Sequence, residues 1–270
     1  MITLISTVRA YIGDLRRFVD HHRPMVDRIL LFFDDPQDEC ISQIDADSVV
    51  CNDKYWGGQR PFSIEERQFH NVNYGMSICG TKWVVHIDSD ELLVGDLKGS
   101  LRGDVVVFDM EEAVPEKLHY ESIFDATLFR RRSGWLKTKL AQHLCKRAVY
   151  GGRYFRGHDI SKCAVRRSNK IKSIGNHRPV EYSNIESSVT RDVTLQHYDC
   201  IGIENWLSKW RGRYEWDSYA SELSGSRLAQ MYEYASAVHD GRVEEVYRNL
   251  HFLPESDQRT LFRLGMLARR

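Results

Sequence analysis

Residues 83–93 read Trp83-Val84-Val85-His86-Ile87-Asp88-Ser89-Asp90-Glu91-Leu92-Leu93. The first five residues are almost all apolar, which is typical of a short buried β-strand. Three carboxylates, at Asp88, Asp90 and Glu91, follow at the point where this strand ends. Carboxylates gathered at one point repel each other unless a cation or a proton lies between them. The simplest cation is Mg²⁺ or Mn²⁺, which binds one or two protein carboxylates together with oxygens of a phosphorylated substrate. The stretch therefore predicts chemistry on a nucleotide diphosphate.

The same carboxylate spacing occurs a second time, in Asp45-Ala46-Asp47. Only one apolar residue, Ile44, directly precedes this second triplet, so no buried strand would hold its carboxylates rigidly. The context of Asp88 and Asp90 favours metal or substrate binding. The alternative is that both are solvated turn carboxylates, because acidic residues cluster at functional sites only statistically.

The composition is that of an ordinary globular protein. The chain has 270 residues, of which 42% are hydrophobic and 28% are charged, enough for a substantial core. Apolar runs such as 29–33 are far shorter than the roughly 20 residues of a membrane span, and no signal-peptide pattern opens the sequence. The six cysteines form no C-x-x-C pair, so neither a zinc site nor a disulfide framework is indicated. These features predict a cytoplasmic protein.

The charge is balanced overall but unevenly distributed. Residues 126–172 contain fourteen Lys or Arg and a single acid, Asp159, although the formal net charge of the chain is zero. This segment is either a solvated basic surface or a surface that meets phosphate groups. No nucleic-acid-binding motif accompanies it, so we expect no nucleic-acid partner. The phosphate groups that this segment meets would then belong to a lipid-linked diphosphate or to the inner face of a membrane that the protein contacts peripherally.

The first ninety residues alternate between strand and helix periodicity, which predicts an α/β fold with a mainly parallel sheet flanked by helices. Predicted strands cover 2–7, 28–34, 49–51 and 83–87, and Ser63 with Glu66 predicts a capping box that opens a helix. A further strand is predicted at Val105–Phe108. Residues 113–172 indicate loops and short elements, and the last seventy residues are predicted to be mostly helical. We therefore expect a domain at 1–200 and a helical C-terminal extension at 201–270 packed on it.

Ligands of such sheets bind at the carboxyl ends of the strands. The residues offered there are Thr7, Arg9, Asp34, Asp35, Lys54, Asp88 and Asp90. No G-x-G-x-x-G follows the first strand and no G-x-x-x-x-G-K-[ST] is present, which excludes the usual dinucleotide and P-loop sites. A nucleotide would have to be held by side chains and by the metal.

These segments resemble the nucleotide-diphospho-sugar glycosyltransferases of the GT-A fold, in particular bacterial family 2-like enzymes. The resemblance is carried by 6–9, 18–22 and 33–38, by Gln68 and Asn71 with 83–92, and by Leu195-Gln196-His197-Tyr198 with Trp206 and 209–211. Related sequences often carry Lys-Asn-Glu after the first strand, where this chain has Arg9-Ala10-Tyr11. The resemblance implies that residues 1–200 form a Rossmann-like GT-A sheet flanked by helices and that the helical extension is added to this domain.

The resemblance also implies roles for individual residues. Asp88 and Asp90 would bind the donor diphosphate through Mn²⁺ or Mg²⁺, and His197, or His177 as second candidate, would complete the metal ligands. Donor-binding residues implied in the same cleft are Thr7, Arg9, Asp34, Asp35, Lys54, Gln68 and Asp88.

An inverting sugar transfer needs a base that removes the proton of the acceptor hydroxyl. In similar enzymes this acid follows the strand after the metal motif, which favours Glu112 first and Glu111 second, with Asp125 and Asp159 as weaker candidates. Asp90 is also predicted to have a catalytic role, because it would bind the metal. The sequence thus predicts a metal-dependent glycosyltransferase that moves a sugar from a nucleotide sugar to a glycan or lipid-linked acceptor in polysaccharide biosynthesis. The alternatives are a metal-dependent phosphohydrolase and a catalytically inactive GT-A-like binding module of a glycan-assembly complex.

Overall fold

The computed structural model describes residues 1–8, 12–61, 63–145, 161–215 and 226–270. Arg9, Asp159 and part of the basic segment lie outside the described residues. The chain forms two compact units, Met1–Met110 with Ile160–Gln196 and Glu111–Asp159 with His197–Arg270. The chain crosses between the units three times, after residues 110, 159 and 196. The predicted domain boundary at residue 200 lies near the third crossing, and the first two had no counterpart in the prediction.

The strands and helices of the first unit alternate at its start, and consecutive strands follow at its end. They are β1 (Ile2–Val8), α1 (Ile12–His22), β2 (Arg28–Phe33), β3 (Asp47–Val50), α2 (Ile64–Ile78), β4 (Trp83–His86), β5 (Glu91–Gly95), α3 (Leu97–Ser100), the first half of β6 (Val105–Val114), β8 (Cys163–Arg166), β9 (Ile171–Ile174), β10 (Pro179–Tyr182) and β11 (Ser187–His197). A 3-10 turn, Glu39–Ser42, lies between β2 and β3.

The sheet of the first unit is built around β1. β1 lies between β2 and β4 and is parallel to both, and β2 is parallel to β3. Leu4 and Ile5 are both fully buried although they point to opposite faces, as expected for a strand covered by helices on both sides. The predicted α/β class, a Rossmann-like sheet flanked by helices, is confirmed, and the sheet continues through β8 and β6 in antiparallel pairs.

Helix α2 begins where the sequence predicted. The Ser63 hydroxyl accepts a hydrogen bond from the Glu66 amide at 3.1 Å and so caps the first turn. Val72 belongs to a core cluster with Ile5 of β1 and further side chains of β2. Gly75 allows this close approach, because a Cβ atom there would lie 2.6 Å from Ile5 Cδ1.

Helix α1 is tied to β5 through a buried histidine. His22 Nδ1 donates to the Phe18 carbonyl at 2.8 Å, and its Nε2 accepts from the Leu93 amide at 3.1 Å. This pairing requires a neutral ring with its proton on Nδ1. Burial lowers the pKa of His22 to about 3, with His21 adding to the effect. The bond fixes the strand that directly follows the acidic turn.

The second unit contains the end of β6 and mostly helical structure. Its further elements are β7 (Leu128–Arg131), α4 (Trp135–Cys145), α5 (Ile203–Glu215), α6 (Ser226–His239), α7 (Val243–His251), α8 (Glu255–Arg263) and β12 (Leu267–Arg269), with a 3-10 turn at Ile123–Asp125. β7 pairs antiparallel with β6, and β12 pairs antiparallel with β7. Trp206 and Trp210 are buried with Tyr247 in the core of this unit. Among the described helices, none combines the length and the apolar character needed to cross a bilayer.

Candidate nucleotide and metal site

The acidic stretch forms a closed turn between β4 and β5. The Glu91 amide donates to the Asp88 carbonyl at 3.1 Å, and the Asp88 amide donates to Glu91 Oε2 at 2.7 Å. Glu91 is buried, so its carboxylate serves the backbone of the turn. The turn stands at the carboxyl end of β4, which runs parallel to β1, at the edge where parallel sheets bind ligands.

Both carboxylate oxygens of Asp88 accept hydrogen bonds from the protein itself. Gln68 Nε2 donates to Oδ1 at 2.8 Å, and Lys162 Nζ donates to Oδ2 at 2.9 Å. Lys162 Nζ also lies 3.9 Å from Glu91 Oε2. The Lys162 side chain is only 2% exposed. The chain thus places one of its own ammonium groups between two of the three carboxylates.

The electrostatics of Lys162 agree with this arrangement. Burial alone would lower its pKa, but Asp88 and Glu91, with a smaller effect from Asp90, raise the pKa of Lys162 to about 12. The ammonium is therefore charged at neutral pH. Asp90 is half-buried in the turn. Sequence reasoning missed Lys162, whose only signal is a lysine directly before the apolar strand β8.

The predicted donor-binding residues at the other strand ends are found in two environments. Thr7 is buried and its Oγ1 accepts from Asn71 Nδ2 at 2.9 Å. Asp34 is buried in an ion pair with two arginines, Arg67 Nε to Oδ1 at 2.9 Å and Arg60 Nη2 to Oδ2 at 2.9 Å. Exposed side chains at these ends belong to Asp35 and Lys54. Arg9 lies outside the described residues. Of the predicted set, the structure brings Gln68 and Asp88 into direct contact, and sequence reasoning missed Arg60 and Arg67.

His177 is half-buried and lies in the electrostatic environment of His86. Burial first, and then the positive charge of Lys162, lower the pKa of His86 to about 3, and His177 adds to that lowering. His86 is therefore neutral beneath the acidic turn.

Glu111 and Glu112 were predicted to follow the strand, and this position is wrong. β6 runs from Val105 to Val114, so both acids lie inside it, in register with Arg131 and Arg130 of β7. Glu112 Oε2 pairs with Arg130 Nη2 at 3.0 Å. Glu111 is more heavily engaged, since Arg131 Nε lies 2.9 Å from its Oε1 and Arg270 Nε donates to its Oε2 at 2.9 Å.

Asp125, a weaker candidate for the base, has a local structural contact. Its carboxylate accepts from the Ser122 amide at 3.2 Å and completes the capping box of the 3-10 turn. Asp159 lies outside the described residues.

The end of β11 places an imidazole beside a carboxylate in the second unit. His197, the last residue of β11, is buried. A ring nitrogen of His197 and a carboxylate oxygen of Asp199 lie within 4.8 Å of each other. Asp199 also pairs with Lys209. The sequence predicted His197 as a metal ligand but not Asp199, although the spacing of two residues was a usable signal.

Comparison with known proteins gives no close relative. No family model matches the chain, and no curated protein does. Among solved structures, HddC from Yersinia pseudotuberculosis matches with 12% identity over 42% of this chain and 59% of its own, at a TM-score of 0.29. HddC complexed with GMP-PN matches with 14% identity over 42% of this chain and 60% of its own, at a TM-score of 0.28.

A third match is mannose-1-phosphate geranyltransferase from Thermus thermophilus, with 11% identity over 93% of this chain and 68% of its own, at a TM-score of 0.28. The chain spans about three fifths of the length of HddC, 59% and 60% in the two structures. Likenesses this distant carry no argument about activity, so the function has to be argued from the residues themselves.

Proposed function

We propose that this protein is a metal-dependent glycosyltransferase that moves a sugar from a nucleotide-diphosphate donor to a hydroxyl of a glycan or lipid-linked acceptor. The observation that carries the proposal is the turn from Asp88 to Glu91 at the carboxyl end of β4, beside the parallel strand β1. Gln68 and Lys162 hold Asp88 from two sides, so the turn is rigid before any ligand binds. A rigid acidic turn at this edge is suited to a cation and a diphosphate.

The proposed cation site differs in one respect from the sequence prediction. Both oxygens of Asp88 are engaged by protein donors. We therefore assign Asp88 as a positioning residue and Asp90 as the metal-ligating acid of the turn. In the second unit we propose His197 as an imidazole ligand, with Asp199 beside it. A mixed carboxylate and imidazole set suits Mn²⁺ better than Mg²⁺. When bound, the cation supplies Lewis-acid stabilisation of the departing nucleotide diphosphate.

We propose that exposed side chains contact the donor and that buried side chains hold them in position. Asp35 and Lys54 are exposed at the ends of β2 and β3 and are proposed to contact the nucleotide. Asp34 is buried and pairs with Arg60, whose side chain is partly exposed. We assign Asp34 as the residue that positions Arg60 toward the diphosphate, because a guanidinium matches phosphate oxygens in geometry and charge.

Glu112 is the proposed base. It has one arginine partner in the described chain, Arg130, whereas Glu111 has two, Arg131 and Arg270. A carboxylate shared by two guanidiniums has fewer lone pairs left for an acceptor hydroxyl. Arg130 would orient Glu112, and Glu111 remains the second candidate.

The first test measures donor binding by thermal stability. We expect a uridine or guanosine diphosphate together with Mn²⁺ to raise the melting temperature more than either does alone. A ligand at one hundred times its dissociation constant stabilises the native state by about 2.7 kcal/mol. Asp90→Asn should abolish the Mn²⁺-dependent part of the shift, and His197→Ala should reduce it.

Asp45→Asn is the matched control, because it alters the same carboxylate spacing at an exposed surface position. It should leave the shift unchanged. No shift with any nucleoside diphosphate across a panel of divalent metals would contradict the donor proposal, and equal shifts in the Asp90 and Asp45 variants would contradict the metal assignment.

The second test measures transfer with purified protein and a panel of nucleotide sugars. We expect Glu112→Gln to lower the turnover rate by about 100-fold or more, as for loss of a general base, with nucleotide binding unchanged. Glu111→Gln is its matched control on the same strand. An effect confined to Glu111→Gln would transfer the role to that residue, and unchanged rates in both variants would remove the base from β6.

One observation favours the inactive binding module as a second candidate. Lys162 already places one positive charge between the carboxylates of Asp88 and Glu91, so the folded turn has an internal cation. A binding module would bind its partner with the same affinity with and without Mn²⁺ and would form no product from any nucleotide sugar. A phosphohydrolase, by contrast, would release free phosphate or free sugar without an acceptor.

A further inference from the structure

Helix α4 presents leucines to solvent at helical spacing. Leu136, Leu140 and Leu144 are 75%, 46% and 50% exposed, and their i, i+4, i+8 spacing places them on one side of the helix. Trp135, at the first position, is 66% exposed. We call the three leucines the exposed leucine face, and Trp135 lies at the end of the helix outside it. Single exposed apolar residues are common, but a contiguous stripe of this kind marks an interaction surface.

The other side of α4 is committed to the core of the second unit. Thr138 and Ala141 are buried, and Ala141 belongs to a cluster with Leu261 of α8 and Leu267 of β12. The helix therefore cannot turn its leucines inward without breaking this packing. One side of the helix is packed inside the unit, and the other is exposed.

The charged side chains of the helix and its N-terminal flank are all basic. Residues 131–145 contain no Asp or Glu. Exposed cations stand beside the leucines at Arg132, Lys137 and Lys139. A short helix with exposed leucines on one side, lysines at its flanks and no acid of its own is suited to the interface of an anionic bilayer. At 11 residues it is about 16 Å long, too short to cross the bilayer and suited to lying along it.

We propose that the exposed leucine face docks this protein on the surface of an anionic lipid bilayer. The leucines enter the boundary between headgroups and acyl chains, Trp135 lies at the headgroup level, and the lysines meet the lipid phosphates. The proposal does not depend on the proposed donor chemistry, because it uses residues outside the acidic turn. It would bring the protein to the layer in which a lipid-linked acceptor resides.

The test is sedimentation of the full-length protein with lipid vesicles. We expect binding to vesicles that contain about one third phosphatidylglycerol and weaker binding to pure phosphatidylcholine, because basic residues are drawn to anionic headgroups. The triple change Leu136→Ser, Leu140→Ser and Leu144→Ser should lower the partition coefficient by about tenfold or more, since each leucine loses its apolar burial. Lys137→Glu with Lys139→Glu should weaken binding only to the anionic vesicles.

The matched control is Val180→Ser, Tyr182→Ser and Val189→Ser, which removes three exposed apolar side chains from β10 and β11. It should bind vesicles as the wild type does. Circular dichroism of each variant shows whether it is folded, and the nucleotide-dependent thermal shift shows whether its donor site is intact. A variant that passes both and still fails to bind vesicles has lost the docking surface alone. Equal vesicle binding of the leucine variant and the wild type would overturn the proposal. So would concentration-dependent self-association that the leucine variant abolishes while vesicles bind neither protein.

Discussion

Lys162 is the residue on which the acidic turn depends. Its ammonium lies 2.9 Å from Asp88 Oδ2 and 3.9 Å from Glu91 Oε2, almost completely shielded from water. Burying the Lys162 ammonium and the Glu91 carboxylate is costly, and their attraction, the half-buried Asp88 and further hydrogen bonds offset that cost. Gln68 supplies one such bond to Asp88, and the Asp88 amide supplies another to Glu91. The group is therefore a unit in which the loss of one member leaves the others uncompensated.

We predict that Lys162→Met lowers the free energy of unfolding by about 3–5 kcal/mol, because it leaves the buried Glu91 carboxylate and the half-buried Asp88 carboxylate without this counter-charge. Chemical denaturation at neutral pH measures this loss. Lys170→Met is the control, since Lys170 is 50% exposed and pairs with Asp104 at 2.9 Å. A partly exposed pair of this kind contributes about 1 kcal/mol or less. Similar losses in the two variants would show that the Lys162 group does not act as a buried unit.

At this scale the sequence predicted half of the site. Asp88 could be found because a carboxylate at the end of an apolar strand is a local pattern, and Gln68 through the resemblance. Lys162 could not be found, because it lies 74 residues from Asp88. A local sequence pattern does not show which distant lysine pairs with the carboxylates of the turn. Arg67 escaped for the same reason, although its partner Asp34 was predicted.

At the scale of elements, local patterns fixed the first strands and α2, while cross-strand pairs decided β6. β6 was predicted to end at Phe108 because polar residues begin at Asp109. It continues because Glu111 and Glu112 find Arg131 and Arg130 directly opposite on β7. Opposite charges facing each other across an antiparallel pair stabilise it. A single sequence does not show that register.

The packing of α2 on the sheet gives a prediction at this scale. In an exposed helix, alanine is more stable than glycine by about 1 kcal/mol. At Gly75 the sign should reverse, because an added Cβ would lie 2.6 Å from Ile5 Cδ1 and 3.2 Å from Phe32 Cε2. We expect Gly75→Ala to destabilise the protein by about 1–3 kcal/mol, the usual cost of overpacking.

Denaturant unfolding of Gly75→Ala measures this effect. Gly134→Ala serves as control, since no atom lies within 4 Å of a Cβ at Gly134. That variant should be neutral within about 0.5 kcal/mol, as for surface positions generally. A stabilised Gly75→Ala protein would mean that α2 is not held tightly against β1 and β2.

At the scale of the molecule, buried neutral histidines set the response to acid. Burial lowers the pKa of His22 and His86 to about 3 and that of His251 to about 4. In the unfolded chain each titrates near 6.5. Below that pH the unfolded state binds protons that the native state does not, so acid favours unfolding. The stabilisation is complete above pH 6.5 and is lost as the pH falls toward the folded values. The two units share this property, since His22 and His86 belong to the first and His251 to the second.

His22 allows this acid response to be tested by a single change. We predict that the unfolding free energy of the wild type falls between pH 6.5 and 4, with each buried histidine contributing up to about 1.4 kcal/mol per pH unit. His22→Gln should cost about 1–2 kcal/mol at pH 7.5 through weakened bonds to Phe18 and Leu93, since those partners are buried. Because glutamine does not titrate, the deficit should shrink as the pH falls. Denaturant unfolding of both proteins from pH 7.5 to 4 measures the difference, with the exposed His143→Gln as control. Parallel curves for His22→Gln and the wild type would mean that His22 takes up a proton as readily in the native state as in the unfolded state. Its acceptance of the Leu93 amide hydrogen bond would then be wrong.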